Sequence, residues 1–244
     1  MHNNQRLEKA KRNQPDYHAN PEIQVFVEKI DLVAVVGITQ AGKSALINEL
    51  IRLYPDKYYS VVSYTSRVMR PHETPESMHF VTDLDHELED IEKGNYVQYT
   101  VHPTKGDLYG TKPDSYDLDK INLAPMLSSV IEKLESIGFG QLRTVAIVPE
   151  VDGWKNALMA IGFTPEELQK RLAEARLSLE WCLDHAERMV WFEKDYGDLT
   201  ANAQRLHEAL AQPPRLNEAA VARAGQLLTS IKQLMNRGGS GNTF

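Results

Sequence analysis

The sequence predicts an α/β fold: a mostly parallel sheet with helices on both faces. Three observations carry that expectation. Leu32-Val33-Ala34-Val35-Val36 is an unbroken run of mostly β-branched apolar residues, the mark of a strand buried on both faces. A glycine-bearing loop, Gly37 to Ser44, follows it directly, and helical spacing begins at Ala45-Leu46-Ile47-Asn48-Glu49-Leu50. From there to the C-terminal region, strand-like and helix-like segments keep alternating.

Bulk composition narrows the function classes. The chain has 244 residues and 42% hydrophobic content, enough for one large domain or two small ones with a sizeable core. Its net charge of −7 argues against general electrostatic attachment to nucleic acid or to an anionic membrane. The single cysteine, Cys182, excludes an intramolecular disulfide and a cysteine-based zinc cluster. No run of about 18 apolar residues suggests a membrane span. The polar stretch from Met1 to Pro21 lacks the apolar core of a signal peptide, so a soluble, cytoplasmic protein is expected.

Taken in order, residues 1–20 are rich in Asn, Gln and Lys and are expected to be flexible or loosely docked. Pro21 to Lys29 forms a lead-in element before the first strand. The first helix ends near Leu53, where Tyr54-Pro55-Asp56 stops it. Tyr58 to Tyr64 reads as a second strand. A charged, proline-bearing loop from Arg67 to Ser77 leads to a short strand at His79 and an acidic helix from Asp83 to Lys93, expected to present a solvated face. Tyr96 to Val101 alternates as a strand, and Gly106 to Gly110 turns. Ile121 to Leu127 reads as a core strand with Pro125 at its end, Val130 to Ile137 as a helix and Thr144 to Pro149 as a buried strand. Thr164-Pro165-Glu166-Glu167 starts a long helix with an N-cap threonine, a first-turn proline and a capping-box glutamate. Met189 to Phe192 reads as a last strand, and Thr200 to Leu210 and Leu216 to Met235 as helices. Residues 236–244 form a flexible Gly/Ser tail.

The chemistry starts in the loop. Gly37-Ile38-Thr39-Gln40-Ala41-Gly42-Lys43-Ser44 fits G-x-x-x-x-G-K-[ST], placed between a strand and a helix as a phosphate-binding loop requires. Glycines allow the backbone to curl so that successive N–H groups point at a phosphate, and the helix N-terminus adds partial positive charge. Lys43 is placed to reach the β- and γ-phosphates, and the Ser44 hydroxyl to ligate Mg²⁺. Gly37, Thr39, Gln40, Ala41, Gly42, Lys43, Ser44 and Ala45 are therefore the candidates for the ATP site.

A second constellation follows the second strand: Ser63-Tyr64-Thr65-Ser66-Arg67-Val68-Met69-Arg70-Pro71-His72-Glu73. Arg67 and Arg70 form a fork suited to a phosphate, on a loop at the carboxyl end of a strand, where open α/β sheets bind ligands. Here the chain resembles the guanylate kinases, which carry S-x-T-[TS]-R-x-x-R-x-x-E, then an aromatic-valine strand, an acidic helix and a Tyr-Gly-[ST] turn. Ser63, Thr65, Ser66, Arg67, Arg70 and Glu73 match, followed by His79-Phe80-Val81 and Tyr109-Gly110-Thr111. Lys170 to Arg176 is similar to the family's arginine-bearing helix, and the resemblance runs from about Leu32 to Leu210.

The resemblance implies a P-loop NTPase fold with an NMP-binding lobe near 63–112 and a lid near 150–175, within a domain of residues 21–212 followed by a C-terminal helix at 213–235. It implies an ATP- and Mg²⁺-dependent kinase with small-molecule nucleotides as its partners, present as a monomer or homodimer, with no nucleic acid or membrane partner. By likeness, Arg67, Arg70 and Tyr109 hold the acceptor phosphate, Ser63 and Thr111 touch its base, and Glu73 belongs to the same motif. Lys43, Arg171 and Arg176 become the catalytic candidates.

The chain departs from the family in its base-reading positions. Gln98 stands where a guanine-reading glutamate is expected, and an amide pairs less well with guanine's two adjacent donors. A second acidic position falls at Asn122 or Ala124. Met78 replaces a tyrosine, and Asn156 and Ala160 stand at two lid arginines. The expected activity is transfer of the ATP γ-phosphate to GMP or a related NMP or dNMP. The alternative is a degenerate module that binds nucleotide or protein without turnover.

Overall fold

The computed structural model describes residues 2–69, 73–74, 77–102, 106–213 and 216–238. The first half of the chain runs α1 (His2–Asn13), α2 (Pro21–Val27), β1 (Asp31–Val36), α3 (Lys43–Leu53), β2 (Tyr58–Ser60), β3 (Tyr64–Thr65), β4 (His79–Phe80), α4 (Leu84–Glu92), β5 (Gln98–Val101) and β6 (Leu108–Thr111). The second half runs β7 (Ile121–Pro125), α5 (Ile131–Ile137), β8 (Gln141–Pro149), α6 (Val151–Ala160), α7 (Pro165–Asp184), β9 (Val190–Lys194), α8 (Leu199–Leu210) and α9 (Glu218–Gly238). The strands form a five-stranded sheet in the order β2-β7-β1-β8-β9 and a four-stranded sheet in the order β4-β3-β6-β5. The larger sheet is mostly parallel, as expected, with Val145 to Pro149 of β8 paired in parallel to Val190 to Lys194 of β9.

Two compact units emerge. One comprises Met1–Leu32, Tyr59–Asn122 and Leu134–Gln141; the other comprises Val33–Tyr58, Leu123–Lys133 and Leu142–Phe244. In the first, β6 pairs antiparallel with both β3 and β5, and Leu88, Ile91, Tyr96, Tyr99, Val101 and Leu108 make the core with Ala10 of α1. In the second, Leu46, Ile47 and Leu50 of α3, Leu158 of α6 and Leu168, Leu172 and Leu179 of α7 are buried. The periodicity of β1 holds: Leu32 through Val36 are all essentially inaccessible.

Three expectations need correction. Residues 1–20 are not a loosely held segment: α1 is pinned by Arg6 to Asp85 and Glu92, and by Lys9 to Glu92, while the Gln14 side chain accepts from the Val101 N–H at 2.8 Å. Polar composition hides this because ion pairs hold the helix alongside apolar contacts from only a few residues, Leu7 and Ala10 among them. The strand expected over Tyr58–Tyr64 is divided, with β2 in the larger sheet and β3 in the smaller, and residues 61–63 carry the chain between them. Finally, α4 does not present a wholly solvated acidic face. Glu87 is buried, accepting from Tyr96 Oη at 2.5 Å and pairing with Lys112 Nζ at 2.7 Å, and Asp90 pairs with the same ammonium at 2.5 Å. The expected C-terminal helix is present as α9, and residues 239–244 of the tail lie outside the described residues.

Candidate functional site

The glycine loop lies in the second unit, between the buried strand β1 and the first turn of α3. Gly42 is the residue before the helix and adopts φ +78°, a left-handed conformation that a side chain would strain. A Cβ there would also sit 2.9 Å from Lys194 Cε. At Gly37, φ is +153° and a Cβ would approach the Ile147 carbonyl oxygen of β8 to 2.9 Å. Gln40 takes a left-handed φ of 59° without being glycine. Local geometry thus explains why the loop needs glycine at both ends of its motif.

Lys43 folds back into this loop. Its ammonium donates to the Gly37 carbonyl at 2.6 Å and the Ile38 carbonyl at 3.2 Å. Burial drives its pKa down to about 8, opposed by the nearby Cys182 of α7, whose own thiol burial pushes up to about 12. Two residues from later in the chain hold the loop's outer carbonyls: Trp154 Nε1 of α6 donates to Thr39 O at 3.0 Å, and Tyr196 Oη donates to Gln40 O at 2.7 Å. Ala41 is buried, whereas Ser44 and Ala45 are exposed on the first turn of α3. A loop of this shape, feeding a helix N-terminus with an ammonium inside it, is chemically suited to an anion.

The acceptor candidates lie in the first unit. Arg67 is gripped by Glu73 through two parallel hydrogen bonds, Nη1 to Oε2 at 2.7 Å and Nη2 to Oε1 at 2.6 Å. It also donates to the Val68 carbonyl at 3.0 Å and lies over the Phe80 ring. The Glu73 bonds, with Tyr109 alongside, raise the Arg67 pKa further above its ordinary range. Arg67, Glu73 and Tyr109 are therefore brought together. Arg70 lies outside the described residues. Ser63 and Gln98 are half-buried, and Gln98 on β5 stands in register with Thr111 on β6. Thr111 is fully buried, and its hydroxyl shares a 2.8 Å hydrogen bond with Tyr116 Oη, so it is not presented to a base as its motif position implies. Neither candidate for the second acidic position is available: Asn122 is fully buried and bonded to the carbonyls of Asp117 and Lys120, and Ala124 is buried.

On α7 the capping box forms as read, with Glu167 N donating to Thr164 Oγ1 at 3.3 Å and Thr164 N to Glu167 Oε2 at 3.0 Å. The arginines farther along are tied to their own helix, Arg171 to Glu174 at 2.9 Å and Arg176 to Glu180 at 3.7 Å. Arg171 lies eleven residues before Cys182, about 16 Å along the helix at ~1.5 Å per residue. Among the described residues no group of three or more His, Cys, Asp or Glu is arranged to hold a metal ion, and no helix is long and apolar enough to cross a membrane. Sequence reasoning missed Trp154, Tyr196 and Lys194; the position of Lys194 at the carboxyl end of a strand is the signal that could have flagged it.

Comparison with known proteins bears on this geometry. A family model described as guanylate kinase matches residues 29–118. The chain is 27% identical over 154 residues to Guanylate kinase 1 of Oryza sativa subsp. japonica, an alignment covering 61% of this chain and 40% of the rice protein. It is 33% identical over 84 residues to a guanylate kinase of Thermotoga maritima, covering 34% and 39% respectively. The matched region thus spans about two-fifths of the length of these curated relatives. A crystal structure of guanylate kinase from Anaplasma phagocytophilum aligns with a TM-score of 0.46 at 16% identity, over 75% of this chain and 84% of that one. Across residues 29–118 and over these alignments, the chain is similar to guanylate kinases.

Proposed function

We propose that the chain is an ATP-dependent nucleoside monophosphate kinase acting on GMP or a related NMP or dNMP. The observation that supports this most is the glycine loop curled around the Lys43 ammonium at the start of α3. In the reaction the γ-phosphorus breaks its bond to the oxygen bridging to the β-phosphate and bonds to a phosphate oxygen of the acceptor. The products are ADP and a nucleoside diphosphate. Catalysis of this kind rests on positioning and on charge neutralisation.

Each residue then has a task. Lys43 exchanges its two carbonyl partners for phosphate oxygens, and the loop's N–H groups bind the same polyphosphate. Ser44 offers an exposed hydroxyl, a hard oxygen donor that suits Mg²⁺, an ion that takes few protein ligands and fills its shell from phosphate and water. When bound, Mg²⁺ would neutralise charge on the β- and γ-phosphates. Arg67, oriented by Glu73, and Tyr109 hold the acceptor phosphate. Arg171 and Arg176 supply further positive charge once released from Glu174 and Glu180. Gln98 replaces a charge-assisted contact to guanine with a neutral amide, which relaxes the preference for that base.

The second reading is a nucleotide- or protein-binding module without turnover. It is favoured by the occupied fork of Arg67 and by the pairing of both α7 arginines with acids of their own helix. An ADP-release assay with ATP and a panel of NMPs and dNMPs separates the two. NMP-dependent ADP release supports the kinase; nucleotide binding with none supports the module.

A further inference from the structure

We propose that Lys194 is a second cation of the donor site, holding the polyphosphate of the nucleotide together with Lys43; this rests on the reading of the glycine loop as the ATP site. Lys194 closes β9, the edge strand of the larger sheet. Its stem lies against Gly42, so closely that a Cβ at Gly42 would come within 2.9 Å of Lys194 Cε and 3.2 Å of Nζ. The absence of a side chain at Gly42 thus makes room for this lysine as well as for the turn.

The charge of Lys194 is poorly compensated within the protein. The residue is 5% exposed, yet its hydrogen bond to the Asp195 carbonyl is a long one, 3.5 Å. Its other partner is the Tyr196 ring, 4.1 Å from the ammonium. The acids on either side in sequence are engaged elsewhere. Glu193 pairs with Arg223 at 2.9 Å, and Asp195 with Arg205 at 2.9 Å and Arg223 at 3.4 Å. Burial pushes the Lys194 pKa down, as it does that of Lys43, and the Asp195 carboxylate only partly opposes it.

What surrounds the ammonium makes an anion the fitting ligand. Gly42 is the residue from which α3 departs, so the positive end of that helix is adjacent, and Lys43 contributes a second ammonium to the same loop. An ammonium held out of water is costly unless a counter-charge joins it. A polyphosphate supplies it, through the shared chemistry of its oxygens. Tyr196 fixes the arrangement from behind by donating to Gln40 O while its ring lies under the Lys194 ammonium.

The test uses the full chain and three ligands: ATP, inorganic tripolyphosphate and adenosine. Lys194→Met keeps an unbranched stem against Gly42 and removes the charge, and Lys194→Arg restores a cation. Titration calorimetry is expected to show ATP and tripolyphosphate weakened about tenfold or more by Lys194→Met, with a shallower dependence on salt. Lys194→Arg should recover part of that loss, and adenosine binding should stay unchanged. Undiminished tripolyphosphate binding in Lys194→Met would overturn the inference and leave the donor-site reading intact, as would an equal loss for adenosine. Wild-type chain that binds neither ATP nor tripolyphosphate would overturn the donor-site reading and this inference together.

Discussion

Arg67 and Glu73 meet as a two-bond fork, with Nη1 2.7 Å from Oε2 and Nη2 2.6 Å from Oε1, in a pair whose side chains are only 10% and 15% exposed. These two bonds hold the guanidinium in one orientation. Glu73 orients Arg67, and on the kinase reading an acceptor phosphate would engage the positioned cation. Replacing Glu73 with Ala should therefore weaken NMP binding by about tenfold, one charge-assisted hydrogen bond, and leave ATP binding unchanged. Titration calorimetry with each nucleotide checks this. Tighter NMP binding in the variant would mean that Glu73 competes with the phosphate.

On the donor-site reading, Lys43 makes nucleotide binding sensitive to pH. Its pKa in the folded chain is about 8, against an ordinary value of 10.5. Between those values the unfolded chain holds the proton and the folded chain does not, so this group's contribution to stability rises as pH rises through that window. An anion beside Lys43 favours the protonated form and reverses the trend for binding. ATP binding at pH 8 should take up about half a proton, and affinity should fall as pH rises above 8. Calorimetry at pH 8 in buffers of different ionisation enthalpy measures the uptake, and Lys43→Met should abolish it.

Much of this could be read from the sequence because it is encoded in short contiguous stretches. The run from Leu32 to Val36, the glycine loop and the Thr164 capping box each carry their geometry locally. What could not be read is tertiary. Trp154 and Tyr196 reach the loop across 115 and 156 residues, and no periodicity announces the carbonyl that a distant N–H or hydroxyl will find. Thr111 shows the same limit at close range: its motif position suggests contact with a base, but Tyr116, five residues on, takes the hydroxyl. The α1 segment was hidden for a different reason. Its attachment rests on Arg6, Lys9 and Gln14, residues whose polarity resembles that of a solvated tail.

Gln98 and Thr111 are in register across β5 and β6, and since Tyr116 takes the Thr111 hydroxyl, the kinase reading assigns base contact in this pair to Gln98. A neutral amide cannot accept from both guanine N1–H and N2–H₂, so GMP should lose its advantage over other acceptors. Gln98→Glu should move the ratio of specificity constants toward GMP by about tenfold or more. Steady-state kinetics with GMP and AMP checks this; an unchanged ratio would place base reading on other residues.

The C-terminal helix contributes to the fold of the second unit. Ala220, Ala224, Leu227 and Ile231 of α9 are fully buried, Lys232 pairs with Glu180 of α7 at 3.2 Å, and Arg223 pairs with Glu193 of β9 at 2.9 Å. Leu227→Ala should cost about 2–5 kcal/mol of stability through the lost burial and the cavity left behind. Urea denaturation is the measurement, and a loss below about 1 kcal/mol would show that α9 adds little to the core.

The most direct test of the kinase reading is the stoichiometry of transfer. Purified chain is incubated with ATP, Mg²⁺ and each NMP or dNMP in turn, and ADP and the nucleoside diphosphate are quantified by chromatography, with Lys43→Ala as the control. The expected result is one nucleoside diphosphate formed per ADP, dependent on the acceptor and abolished in Lys43→Ala with the fold retained by circular dichroism. ADP formed without a diphosphate product, no turnover with any acceptor, or wild-type turnover in Lys43→Ala would contradict it.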